Sequence, residues 1–269
     1  MKKILGSVGV LAVVGALVLG ATGAFFSDTE TSTGNTFTAG AIDLTVDSTQ
    51  HYNNMVCTLY TGTGQDGEER ENGHYYWEGN GPYPAPGTPC DGTWLPADLG
   101  TQKFFDFRDI KPGDSGENTI SIHVLNNDAW LRLLVNTVTD FDNSCTEPEQ
   151  GTNGEGCTVN SPEGVNPGLG ELRENLLFTV FDDNGAYPGH QCNNILDDDE
   201  EELISAGTID SQGETWPLET PITGGQIVCF GVTWDLPFST GNETQTDSMG
   251  ATMEFQVEQS RNNPTPWDN

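Results

Sequence analysis

Short segments in which apolar and polar residues alternate recur along most of this chain. Ile42, Leu44 and Val46, for example, alternate with acidic or hydroxyl residues, as in a strand with one buried face. Eight such segments occur, at Ile42, Phe105, Ile120, Leu131, Phe178, Ile204, Ile227 and Phe255. The 33 glycines and 15 prolines spread along the chain favour frequent turns. The pattern predicts an all-β fold, an antiparallel sandwich of the jelly-roll type with long loop insertions.

The first 24 residues have the composition of an export signal. Two lysines precede an apolar run from Ile4 to Leu19, and small residues follow it. A signal peptidase requires small side chains at its cleavage site, so we expect cleavage between Ala24 and Phe25. The alternative is that the run stays uncut as a membrane anchor, but it is shorter than the ~20 apolar residues that a bilayer span needs. We therefore assign residues 1–24 as a signal peptide and expect no stable membrane anchor after cleavage.

Composition divides the mature chain into three parts. Residues 25–40 are rich in Ser, Thr, Gly and Glu and are predicted to form an N-terminal arm. Residues 41–260 hold the alternating segments and are predicted to form a single sandwich domain, with insertions at 51–100 and 142–170 where Gly, Pro and Asn are frequent. Residues 261–269 include two prolines and few apolar side chains, which predicts a flexible tail.

The chain has six cysteines, an even number that suits an exported protein with disulfides. Sequence alone permits many pairings. Pairing of nearest neighbours gives Cys57 with Cys90, Cys145 with Cys157, and Cys192 with Cys229. Each of the first two pairs would close one of the insertions, where a cross-link stabilises the fold by about 3 kcal/mol. No CxxC motif is present, so zinc-finger and thioredoxin-type sites have no support.

The charge balance is strongly acidic. Asp and Glu number 41 against 9 Lys and Arg, a formal net charge of -32. A surface of this sign repels phosphate backbones and anionic headgroups, so nucleic acid and acidic lipid are not expected as partners. The same charge suits adaptation to salt, calcium binding or simple solubility, and charge alone does not distinguish these three.

Two acidic stretches carry the hard oxygen ligands that calcium prefers. One lies just before Gly185, and the other is a run of six carboxylates from Asp197 to Glu202. The predicted calcium ligands are Asp182, Asp183, Asn184, Asp197, Asp198 and Asp199. Their spacing departs from that of an EF-hand loop. The alternative is a tight turn followed by a solvated acidic helix start, where carboxylates suit the helix dipole. No other cofactor is expected.

The first insertion carries many aromatic side chains between Tyr75 and Trp94. Aromatic rings on a polar loop can stack on the apolar faces of sugars and so form a glycan-binding surface. The same rings can instead pack together as a small core that orders the loop, with a Cys57–Cys90 bridge as its staple. The first of these alternatives would make the chain a monomeric binding module of the cell surface.

Three stretches of the sequence resemble one known family. They are AFFSDTETSTGNTFTAGAIDLTVD after the export signal, FRDIKPGDSGENTISIHVLNND after the first insertion, and ATMEFQVEQS at the last strand. Together they resemble the TasA/camelysin family of SipW-dependent exported proteins, over the first 47 residues, Phe104 to Val135 and part of the last strand. The resemblance implies a jelly-roll domain secreted after cleavage by a SipW-like signal peptidase. It also implies assembly with other copies into extracellular fibres of the biofilm matrix.

In such fibres the freed N-terminal segment of one subunit adds as a strand to the sheet of the next. Here that segment would be Phe25 to Thr38, and Phe25, Phe26 and Phe37 would fill pockets between strands. A head-to-tail contact of this kind does not close on itself, so it produces a filament. Camelysin itself has been described as a metallopeptidase. Because the sequence contains neither HExxH nor GxSxG, we expect a non-enzymatic subunit and keep the peptidase as an alternative.

Overall fold

The computed structural model of the protein describes residues 27–32, 35–38, 43–62, 70–149 and 169–267. For the residues before 43, it describes only the strands and their backbone pairing. The described residues contain thirteen β-strands and two short helices. The strands are β1 (Ser27–Ser32), β2 (Asn35–Thr38), β3 (Leu44–Tyr52), β4 (Met55–Leu59), β5 (Tyr75–Gly79), β6 (Trp94–Ala97), β7 (Ser115–Val124), β8 (Ala129–Asp142), β9 (Leu177–Asp182), β10 (Glu202–Gly207), β11 (Glu214–Pro217), β12 (Ile227–Asp235) and β13 (Asp247–Gln259). The helices are α1 (Leu172–Asn175) and a 3-10 helix (Asn242–Thr244).

The strands form two sheets that pack face to face. The smaller, sheet 1, has the order β1-β2-β13-β8-β11. The larger, sheet 2, has the order β10-β9-β12-β7-β3-β4-β5, and β6 also pairs with β3. The pairings are antiparallel except that β2 runs parallel to β13. The prediction of an all-β antiparallel sandwich is confirmed.

The core lies between the two sheets and follows the alternation in the sequence. Along β8 nearly every second residue is buried, which places Leu131 and Leu133 in the core and their neighbours on the outer face. Phe104 and Phe230 pack against Phe255, with ring centroids 6.1 and 5.7 Å apart. Each sheet therefore contributes one apolar face to a shared interior.

One predicted strand is absent. The prediction at Phe105 is wrong, because this segment runs as irregular chain between β6 and β7. The Phe104 carbonyl accepts hydrogen bonds from the side-chain amides of Gln50 (2.8 Å) and Asn118 (3.1 Å) rather than from a neighbouring strand. The alternating aromatic residues instead supply packing, since Phe104 enters the main core and Phe107 lies 4.7 Å from the ring of a tyrosine in β3.

The first insertion is more regular than predicted. It contributes β4, β5 and β6 to sheet 2, and its side chains build a second hydrophobic cluster that includes Tyr52, Trp77 and Trp234. Trp77 belongs to this cluster and is 6% exposed, so it packs as part of the small core that was one of the two alternatives. Tyr76 is 7% exposed, and its ring centroid lies 6.0 Å from that of Tyr60. Tyr83, by contrast, is 45% exposed. Frequent glycine, proline and aromatic residues hide the strand alternation here.

Two of the nearest-neighbour disulfides are present in the structure. Cys57–Cys90 ties β4 to the loop after β5, and Cys192–Cys229 ties the loop after β9 to β12. Cys145 is also disulfide-bonded, and Cys157 lies outside the described residues. The predicted signal peptide at 1–24 and most of the second insertion lie outside them too.

Residues 261–267, which belong to the predicted tail, lie against the outer face of sheet 1. Asn263 is 3% exposed: its carbonyl accepts the indole N–H of Trp130 (2.8 Å), and its side-chain amide donates to Glu258 (2.9 Å). The Arg132 guanidinium lies 4.2 Å from the centroid of the Trp267 ring. The tail has few apolar residues, but its amide and indole find partners on β8 and β13.

Candidate functional sites

The N-terminal arm lies along one edge of sheet 1. β1 pairs antiparallel with β13, where Ser27 lies opposite Glu258. β2 pairs with the same strand in parallel, where Asn35 lies opposite Met253, and β1 and β2 form a hairpin with each other. The arm thus covers an edge that would otherwise present unpaired N–H and C=O groups.

The attachment of the arm to β13 is short. β13 pairs with β8 from Asp247 to Gln259, whereas each arm strand pairs with it at two positions. Of the predicted donor residues, Phe37 lies in β2. Phe25, Phe26 and the cleavage position at Ala24 lie outside the described residues. In the single chain, therefore, the predicted donor strand occupies the sheet of its own subunit.

The residues predicted to bind calcium organise the loop between β9 and β10. Asp183, which is fully buried, accepts the backbone N–H groups of Asn193 (3.1 Å) and Asn194 (2.8 Å). Burial raises the pKa of Asp183 to about 6, although these hydrogen bonds favour the ionised form. Asp199 accepts the N–H of Ala186 (2.6 Å).

Most of the remaining groups of that loop also have protein partners. Asn184 donates to the Cys229 carbonyl and accepts from the Cys229 amide, both at 2.8 Å, and it donates to Asp182 as well. Asp197 accepts a hydrogen bond from the Asn193 side chain (2.9 Å), and Asp198 is exposed. In the described residues, no three acidic or histidine side chains of this loop bring ligand atoms within 4.8 Å of one another. Calcium binding at this loop stays a prediction.

A different acidic cluster, which sequence analysis missed, lies where β8 ends and β13 begins. Carboxylate oxygens of Asp142, Glu149 and Asp247 all lie within 4.8 Å of one another. Asp142 and Asp247 are direct partners across the two strands, a position in which like charges repel. Asp247 also accepts the N–H groups of Glu171 (2.6 Å) and Leu172 (3.0 Å) at the start of α1.

Burial dominates the electrostatics of this cluster. The pKa of Asp247 is raised to about 7: burial is the largest cause, the two backbone hydrogen bonds lower the pKa, and the nearby charges of Glu171 and Asp142 raise it. Burial also raises the pKa of Asp142 and of Glu171. These carboxyls could hold a proton or a divalent cation near neutral pH. No short sequence motif marks the cluster, because its two aspartates meet only when β8 and β13 pair.

The predicted export signal, the arm and β3 lie in the amino-terminal part of the chain, and this part matches one known family. Residues 1–56 match the camelysin metallo-endopeptidase family. The match confirms the resemblance to the TasA/camelysin family over this part of the chain. No curated protein and no solved structure matches the sequence. In the described ranges, no helix has both the length and the apolar character to cross a membrane.

The camelysin name raises the question of a metal-dependent peptidase. Zinc in such enzymes is held by converging His and acidic side chains, with one position open for water. The chain has four histidines, and each is near a carboxylate: His51 at 3.3 Å, His74 at 3.4 Å, His123 at 2.6 Å and His190 at 2.6 Å. In the part of the chain that the structure describes, no histidine belongs to a group of three converging ligands.

Proposed function

We propose that this protein is a secreted, non-enzymatic structural subunit that polymerises into extracellular fibres by donating its N-terminal strands. The observation that carries the proposal is the position of the arm, because the residues that closely follow the predicted cleavage site pair with the edge of sheet 1. The camelysin match includes these same residues. Export would expose the arm through cleavage by a SipW-like signal peptidase.

Donation in this protein is an exchange of arms between copies. In one chain the arm covers β13 of its own sheet, and in a fibre the same pairings form with β13 of the next copy. The number of strand pairings stays constant in this exchange, so concentration decides which arrangement prevails. A tethered arm competes at an effective concentration of about mM, and assembly therefore requires crowding of subunits or a partner that releases the arm.

The short attachment makes the arm the part of sheet 1 that leaves most easily. β1 and β2 each pair with β13 at two positions, whereas β8 pairs with β13 from one end of β13 to the other. The next strand along the chain, β3, belongs to sheet 2. An arm that leaves its own sheet therefore removes no strand from the core of the sandwich.

The charge of the chain opposes assembly. At a formal net charge of -32, each added copy meets like charge. Salt screens this repulsion, so fibre formation should increase with ionic strength and with divalent cations. The non-enzymatic assignment is supported by the separate carboxylate partners of the histidines and by the absence of an HExxH motif.

Electron microscopy of two chains tests the proposal, one that begins at Phe25 and one that begins at residue 39. Fibres should form only from the longer chain. A matched pair keeps the length constant: T36P removes a backbone N–H from β2, whereas T36V keeps a residue that favours strands. Fibres from the shorter chain would refute strand donation. Monodisperse protein in every case would favour a monomeric binding module, and chelator-sensitive proteolysis would favour the peptidase.

A further inference from the structure

A groove opens beside sheet 2, between the first insertion and the segment that precedes β7. Its volume is about 350 Å³, which falls within the range of small-molecule sites. The floor comes from β3 and β5, and the walls come from residues 83–91 and 106–108. Tyr52 and Trp77, which are 3% and 6% exposed, lie beneath the groove, and Tyr83, Asp91, Asp106 and Arg108 are the lining residues that a ligand could reach.

The groove is held in shape by the contacts of its own walls. Tyr52 donates from its hydroxyl to Asp114 (2.8 Å), and its ring centroid lies 5.8 Å from that of Tyr83 and 4.7 Å from that of Phe107. The disulfide at Cys90 fixes the opposite wall to β4. A ligand that enters would therefore order little of the protein, which lowers the entropic cost of binding.

The lining combines ring surfaces with charged groups. Tyr83 is 45% exposed, and the side chain of Arg108 is 87% exposed. Asp91 is exposed as well, and Asp106 is held in place by Lys103 at 3.1 Å. The exposed ring of Tyr83 suits an apolar C–H face of a sugar, while carboxylates accept its hydroxyl hydrogens and the guanidinium donates to its oxygens.

Other ligand classes fit this lining less well. An acyl chain would bring no partner for the charged groups that line the groove. A phosphate or an acidic sugar would meet the carboxylates of Asp91 and Asp106, and the nearby cations Lys103 and Arg108 already lie 3.1 and 4.0 Å from Asp106. We propose that the groove binds a neutral oligosaccharide. The groove adjoins sheet 2 and the arm lies on sheet 1, so this function does not rest on strand exchange.

Isothermal titration of the mature chain with neutral hexasaccharides tests the proposal. The probes are cellohexaose, chitohexaose and maltohexaose, with hexagalacturonate as the anionic comparison. At least one neutral probe should bind, and hexagalacturonate should not. Y83A removes the exposed ring and should weaken binding about tenfold. Y187A removes a tyrosine that is 64% exposed but lies outside the groove lining, and it should bind as the parent does.

Because Tyr83 also packs on Tyr52, a second variant separates binding from folding. D91N keeps the shape of an exposed side chain and removes one acceptor charge, so it should weaken binding while leaving the circular dichroism spectrum unchanged. The proposal is overturned if no neutral probe binds, or if Y83A and D91N both bind like the parent. Fibre formation by these variants should be unchanged, so failure here is distinct from failure of strand exchange.

Discussion

Replacing Asp247 with asparagine should stabilise the protein at alkaline pH and have little effect at acidic pH. Asp247 accepts two backbone N–H groups at the start of α1 and lies opposite Asp142 across the strands. D247N keeps an oxygen that can accept these hydrogen bonds. It removes a charge from a cluster in which three carboxylates lie within 4.8 Å of one another.

The direction of the pH dependence follows from the pKa of this carboxyl. Its value is about 7 in the folded protein against 3.8 as the reference value, so between these pH values the folded state holds a proton that the unfolded state has released. The free energy of unfolding of the parent therefore falls as pH rises from 3.8 to about 7 and levels off above it.

The magnitude comes from the same pKa difference. At about 1.4 kcal/mol for each unit, the full difference would be roughly 4 kcal/mol. Asp247 is only partly buried, and solvent screening reduces this to about 2 kcal/mol. Urea unfolding of the parent and D247N at pH 4 and pH 8 measures this difference in the free energy of unfolding. The buffer contains a chelator, so that no metal replaces the proton. D198N, at an exposed aspartate outside the cluster, is the control. The reasoning fails if D247N gains no stability at pH 8, or gains equally at both pH values.

Three further predictions concern the insertion, the tail and assembly. C57S/C90S removes a disulfide with a sequence separation of 33 and should lower the free energy of unfolding by roughly 3 to 4 kcal/mol in urea titrations. Unchanged stability would show that the insertion does not need this disulfide. W267A removes the ring beside the Arg132 guanidinium and should lower the free energy of unfolding by about 1 kcal/mol in thermal unfolding. No change in this free energy would mean that the Trp267 ring contributes nothing to stability. Light scattering of the mature chain should rise with added salt, and assembly that weakens with salt would contradict charge repulsion as the barrier.

Sequence patterns predict the sandwich where one face of a strand is buried and the other is not. The segments at Ile120, Leu131 and Phe255 alternate cleanly, and all three are strands of the core. The turn from Lys111 to Asp114 also follows from local sequence, since Gly113 adopts a positive φ of 95° and the Asp114 N–H donates to the Lys111 carbonyl (2.9 Å). These features depend on near neighbours in the chain.

The features that the sequence did not predict depend on contacts between distant residues. Alternation at Phe105 looks like a strand, but the adjacent Phe104 carbonyl accepts hydrogen bonds from the side chains of Gln50 in β3 and Asn118 in β7. The acidic cluster requires the register that sets Asp142 opposite Asp247. The tail is held by groups on two strands that precede it. Composition and periodicity do not contain this information.

Disulfide trapping of the arm tests strand exchange most directly. Ser27 and Glu258 are direct partners in antiparallel strands, and such partners bring their Cα atoms about 4.5 to 5.5 Å apart, close enough for a disulfide. Oxidised fibres of S27C/E258C should give a ladder of covalent multimers on non-reducing gels, whereas S27C alone should give no species larger than a dimer. Fibres in which S27C/E258C forms only bonds within one chain would show that the arm stays in its own sheet, and would contradict the account.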